Sequence, residues 1–328
     1  YDYTKVISKK FAWLIGVSVI LVGVISAATV ALGFSAYFTS LLKMNILIPA
    51  LILVMLMSLI NFIGIRETSW YTDLSTFLEL AGLLLVIGIG VKYIGRVSLI
   101  ETPHGMPGVT SAAALVFFAF MGFESIVKFG EETKNPKKVI PQALIYSVLI
   151  TSVLYVLVAI SAVSILGWRA LSESSAPLAT VVGSVLGGYA VPIITIIALF
   201  STSNTVLLAL YASSRQMYGM ASEKTLPKKL TSVYEKTRTP WLAISICLVL
   251  TLVFVFIGDI EVVANLTNIF LFITFAAVNL GLIVMRYKMP ANGKHFRVPI
   301  NIGRFPVIAL LGLLSNLALL VQSAFNLL

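Results

Sequence analysis

Charge is what this chain has least of. Only 11% of its 328 residues are Asp, Glu, Lys or Arg, against roughly one-quarter in an ordinary soluble domain. With 59% hydrophobic residues and a mean hydropathy of +1.02, a water-soluble globule is excluded. Cysteine is nearly absent as well. The single thiol, Cys247, excludes an intrachain disulfide and reads as a small packing residue in an apolar stretch. The two histidines, His104 and His295, fall in connections on opposite sides of the expected membrane, so they cannot share a metal. No GxxxxGK[ST] loop is present to cradle a phosphate. No low-complexity tract or linker divides the chain, so residues 1–328 read as one domain. The chain opens on Tyr1 without a charged leader and cleavage site before the first apolar run, and an upstream piece is expected outside this numbering.

What the chain does have is long apolar runs. A membrane-crossing helix needs about 20 mainly apolar residues, and nine windows qualify: 11–38, 45–65, 73–91, 109–129, 141–166, 181–211, 240–258, 262–285 and 305–327. Runs of that length predict helices rather than barrel strands, giving an all-α polytopic membrane protein of about nine spans. The net charge of +10 is not gathered into a nucleic-acid-binding patch; it alternates from connection to connection. With the residue-1 end in the cytoplasm, 19 Lys and Arg fall inside and four, Lys43, Lys92, Arg96 and Arg169, fall outside. The positive-inside rule therefore fixes an orientation and supports the count of spans.

The connections carry their own signals. Two prolines and two glycines make ETPHGMPG (101–108) a loop ahead of the fourth span. In SSRQMYGMASEKTLPKKLTSVYEKTRTPW (213–241) the early part can continue the sixth span as helix until Pro227 bends the chain. In NPKKVIP, Asn135 is placed to cap a helix with Pro136 at its first position, and Glu131 and Glu132 suit the positive end of that helix's dipole.

An ionised group at mid-bilayer costs about 2.5 to 3.5 kcal/mol on insertion scales, which singles out two glutamates. Glu79 lies six residues beyond Asp73 in TDLSTFLELAGLLLVIGIG, about 9 Å into its span at helical rise. Burial there favours the neutral form near neutral pH, which suits a proton carrier; a packing carboxyl bonded to a neighbouring helix is the plainer alternative. Glu124 lies just past Gly122 in FFAFMGFES. Glycine loosens a helix, and a helix opened inside a membrane is tolerated where its peptide groups face a cavity or protein. The competing reading is a straight helix with Glu124 and Lys128 paired at i,i+4.

A third polar group lies in the sixth span. FSTSNTVLLAL places Ser201, Thr202, Ser203 and Asn204 in succession. Hydroxyls in such helices often bond back to the preceding turn or join helices, but four consecutive polar residues exceed one helix face, which points to a lining role. Asn265 and Asn268 read as interhelical contacts.

These stretches resemble a known family. FFAFMGFES followed by EETKNPKKVIPQAL is similar to the sixth helix and following loop of amino acid permeases of the amino acid, polyamine and organocation superfamily, and ALFSTSNTVLLALYASSRQMYGMASEKTLP is similar to their eighth helix. YDYTK resembles the loop between helices two and three, and the FRVP of FRVPI resembles the entry to helix eleven. The resemblance implies a five-plus-five inverted-repeat, LeuT-like transporter fold whose helices one and six are broken around the substrate. The nine spans would be helices three to eleven of a twelve-helix plan, with helices one, most of two, and twelve outside these residues.

The resemblance also implies site residues. Phe118, Ala119, Phe120, Gly122 and Phe123 would form the substrate-binding break, with Phe118 as the covering aromatic. Glu124 matches a glutamate linked to proton-sensitive gating. Glu79, counted from Asn61–Gly64, falls where some proton-coupled members carry a lysine, so the charge there is reversed. Ser201 and Thr202, with Asn204 beside them, fall near the sodium-site hydroxyls of sodium-driven relatives. The expectation is a non-enzymatic secondary transporter of amino acids in the cell membrane. It would use no cofactor and couple to H+ rather than Na+, as symporter or exchanger. A proton- or ion-conducting channel using Glu79 and Glu124 as relays is the alternative, and a non-transporting scaffold is a third reading.

Overall fold

The structure is a computed structural model that describes residues 8–64, 69–124, 126–127, 133–288 and 300–327. The YDYTK and FRVP segments, His295, Lys128, Glu131 and Glu132 lie outside the described residues.

Helix α1 (Lys9–Leu41) starts at Ser8, whose hydroxyl accepts the Phe11 N–H at 3.1 Å, supplying the partner that the first turn lacks. Its sequence is apolar on every side, the pattern of a helix packed on several faces, although Trp13 and Leu14 near its start are exposed. Ala12, Val24, Ile25, Ala27, Ala28 and Ala31 are fully buried, under α2 (Leu47–Ile63), α7 (Val191–Ser222), α8 (Trp241–Val255) and α9 (Ile260–Lys288). The hydroxyls that this burial takes along are satisfied close by. Ser18, Ser26 and Thr29 donate to the carbonyls of Leu14, Gly23 and Ile25, and Ser35 donates to the Ile46 carbonyl.

Close approach at α1 depends on small residues. A Cβ on Gly23 would lie 2.0 Å from Ser213 Oγ of α7. Helix α3 (Ser69–Gly90, followed by a 3-10 turn at Val91–Tyr93) uses the same device. At Gly90 a Cβ would stand 2.2 Å from the Ser161 Cβ of α5 (Pro136–Ser172), and at Gly82 it would stand 2.9 Å from Ile197 of α7. Two apolar clusters result: one around α1, α2, α7 and α8, the other where α3 and α5 meet α7 and α6 (Pro177–Leu186). Helix α10 (Val307–Phe325), preceded by a hairpin of two-residue strands (Asn301–Ile302 and Phe305–Pro306), packs antiparallel on α9. Gly312 faces Asn279, and Asn326 bonds Asn265 at the other end.

Among the described residues, six helices are long and apolar enough to cross a membrane: α1, α3, α5, α7, α9 and α10. Within the windows 45–65, 109–129 and 240–258 the described residues form the shorter apolar helices Leu47–Ile63, Gly105–Phe120 and Trp241–Val255. The window 181–211 is not one helix. It divides at Gly187, with φ +93°, and Gly188 into α6 and α7, and Pro192 opens the second piece. Helix α7 does continue past the apolar run to Ser222, and Pro227 then precedes a 3-10 turn at Lys228–Thr231. Pro136 starts α5 as expected, but Asn135 does not cap it with its side chain. Its backbone is left-handed at φ 53°, and its carbonyl accepts from the Lys138 and Val139 N–H groups instead. Near its far end α5 is kinked at Gly167, φ 77°.

Candidate functional site: an interrupted helix between two flanking helices

The fourth apolar window is broken. Helix α4 runs Gly105–Val116, tightens into a 3-10 turn at Phe117–Phe120, and leaves helical geometry at Met121, with φ −65° and ψ 143°. Gly122 follows at φ +116°, a conformation open to glycine and costly for residues with a Cβ. No heavy atom lies within 4 Å of where its Cβ would be, so the backbone angle, not crowding, calls for glycine.

A break releases peptide groups that must find new partners in an apolar surrounding. Side chains provide three of them. The Gly122 N–H donates to Glu124 Oε2 at 2.8 Å. Tyr155 of α5 donates its hydroxyl to the Ala119 carbonyl at 2.8 Å, and its ring meets Phe120 edge-on at 5.2 Å. From the other side, the Asn268 amide of α9 donates to the Ala114 carbonyl at 2.7 Å and the Leu115 carbonyl at 3.2 Å. Phe272, one turn along α9, packs on Phe117 at 4.8 Å, and Phe275 reaches both Phe117 at 6.0 Å and Phe123 at 5.8 Å. The interruption is thus held between α5 and α9, with aromatic rings on both sides of it.

The expected site residues fall in two groups. Phe118, Ala119, Phe120, Gly122, Phe123 and Glu124 are together at the break, and Phe118 and Glu124 are half-buried. Glu79 is not enclosed by protein: its stretch of α3 is exposed, so the burial expected for it is absent. The polar run of α7 contacts the start of α3. Ser203 Oγ and the Tyr71 hydroxyl are 2.6 Å apart, and Asn204 Oδ1 accepts from Thr72 at 3.0 Å. Thr202 bonds back to the Ala198 carbonyl at 2.7 Å, and Ser201 is half-buried beside it. Three residues that hold the break were not singled out in the sequence: Tyr155, Phe272 and Phe275. A tyrosine or phenylalanine in an apolar run carries no local mark of such a role, whereas an amide such as Asn268 does.

Comparison with known proteins agrees with this architecture. The amino acid permease family model matches residues 1–327, and the chain belongs to that family. It is a multi-pass membrane protein of the transporter class, not an enzyme. It is 28% identical to the branched-chain amino acid permease BcaP of Bacillus subtilis, over 98% of this chain and 73% of that protein. It is 28% identical to the methylthioribose transporter of the same organism, over 91% of this chain and 69% of that one. Against cationic amino acid transporter 1 of Arabidopsis thaliana the identity is 26%, over 84% of this chain and 49% of the plant protein.

Proposed function

We propose that this chain carries an amino acid across the cell membrane by alternating access, with the interruption at Phe117–Gly122 as the substrate-holding element and its residue-1 end in the cytoplasm. The observation that carries the reading is the bond from the Gly122 N–H to the Glu124 carboxylate. That N–H has left the helical ladder, and a carboxylate on its own chain occupies it. A substrate carboxylate is the same chemical group and competes for the same donor. Phe118, Phe120 and Phe123 supply apolar surface for a side chain, while Ala119 and Gly122 expose peptide groups without bulk.

The competition also gives a route for coupling to protons. Protonating Glu124 weakens its hold on the N–H, because a charged acceptor makes the stronger bond. Proton uptake and substrate uptake then favour the same exchange of partners, and binding shifts the balance between the two access states through this difference in contacts. In this reading Glu79 takes part in coupling from α3. Ser201, Thr202 and Asn204 brace α7 against α3 during the change. The coupling ion is H+, without a cofactor.

The test is uptake of a panel of radiolabelled amino acids by the full-length protein in liposomes, at several pH values, with and without sodium. Saturable uptake, driven by an inward proton gradient, unchanged by sodium and suppressed by competing amino acids, is expected. Conductance that does not saturate and that amino acids do not inhibit would replace this reading with an ion-conducting one.

A further inference from the structure

We propose that Asn268 is a positioning residue that fixes the geometry of the interruption by bonding two carbonyls on the last turn before it. The inference rests on the permease reading for its functional consequence, though its structural part stands without it.

The α-helical ladder gives way to 3-10 pairing just after Val116, and a change of ladder type leaves carbonyls on the last α turn underused. Asn268 donates to two carbonyls of that turn, Ala114 and Leu115, the second of which also accepts the Phe117 N–H. Because both neighbours are acceptors, only the NH2 end of the amide can face them, so the orientation of the amide follows from its partners. The opposite end, Oδ1, is buried without any partner, and Asn268 has no exposed surface. A residue there for packing alone would be better as leucine, which leaves no orphaned acceptor. The amide is retained against that penalty by its two bonds to carbonyls at the change of ladder, of which Leu115's also accepts the Phe117 N–H.

The same face of α9 continues the hold. Phe272 and Phe275 stand four and seven positions beyond Asn268, on one stripe of the helix, and Phe275 touches rings from both sides of the break. Asn268 fixes where the α-helix ends, and the two rings fix how the chain leaves it. A shift of α9 therefore moves the peptide groups of the break with it. Asn265, one turn away on α9, does not duplicate the role: its amide donates to the Glu261 carbonyl and its Oδ1 accepts from Asn326.

The experiment compares wild type with Asn268→Leu, which has similar bulk and no donor, and Asn268→Gln, which keeps the donor on a longer arm. Amide hydrogen exchange over residues 117–122 is measured in nanodiscs, together with the KM and Vmax of uptake in liposomes for whichever of leucine and arginine the wild type accumulates. Asn268→Leu is expected to speed exchange at the break and raise KM, each about tenfold, with Vmax per folded molecule retained. Asn268→Gln is expected to recover part of both. Asn268→Ala takes the place of the leucine variant if the latter does not fold. Exchange at 117–122 unchanged while the Tm falls would overturn the proposal and make Asn268 an ordinary interhelical contact. Faster exchange in a protein whose wild type accumulates no amino acid would uphold the inference and instead refute the permease reading.

Discussion

Gly122 and Glu124 form a turn in which the backbone and the titratable group depend on each other. Only a residue free to sit at φ +116° turns its N–H toward the carboxylate two positions on. Gly122→Ala introduces no clash, since the space is open. Its cost is conformational, about 1 to 2 kcal/mol, and should appear as a lower Tm together with a raised KM for uptake. Glu124→Gln keeps an acceptor for the Gly122 N–H but cannot titrate. Uptake should persist with a flattened pH profile, and a profile matching wild type would remove Glu124 from coupling. Tyr155→Phe keeps the ring against Phe120 but leaves the Ala119 carbonyl without its donor, a penalty of about 1 to 3 kcal/mol. Loss of substrate affinity on the order of tenfold in equilibrium binding is expected from it.

At the scale of helices, contact is set by which small residue meets what. A Cβ on Gly90 would stand 2.2 Å from Ser161 Cβ and 2.8 Å from its Cα, whereas one on Gly23 would meet chiefly the Ser213 hydroxyl oxygen. A hydroxyl can rotate away; a Cα cannot. Gly90→Ala should therefore destabilise more than Gly23→Ala, by about 1 to 3 kcal/mol in the style of overpacked sites, in thermal unfolding in detergent. The reverse order would contradict the close α3–α5 contact. The helices themselves were legible because apolar length speaks directly: the run 11–38 became Lys9–Leu41, and 262–285 became Ile260–Lys288. The split of 181–211 was missed because valine, alanine and leucine on both sides of Gly187–Gly188 keep hydropathy high, and a hydropathy window does not register a change of direction. Asn135 misled in a similar way, since its side chain suits an N-cap, yet a left-handed backbone there satisfies the first turn through a carbonyl.

At the scale of the molecule, the basic residues give a testable orientation. Cys247, the sole cysteine, is buried, so introduced thiols can be read against a quiet background. Ser175→Cys, on the side with few Lys and Arg, should react with a membrane-impermeant maleimide added to intact cells. Ser232→Cys, in the basic connection, should react only after permeabilisation. The interruption in the fourth window was legible from glycine and glutamate inside an apolar run. What surrounds it was not, because Tyr155, Asn268, Phe272 and Phe275 reach it from segments distant in sequence, and their spacing to the break is set by packing rather than by any local pattern.

The burial of the middle of α1 has a consequence for biogenesis. Its enclosing helices α7, α8 and α9 begin about 180 to 250 residues later in the chain, which at ordinary synthesis rates means roughly 10 to 50 s of waiting. Through that interval the helix must reside among lipids or translocation machinery with its future contacts unmade. Hydroxyls that already bond their own helix at Ser18, Ser26 and Thr29 let the newborn segment rest in oil unaccompanied, until later-arriving helices close around it.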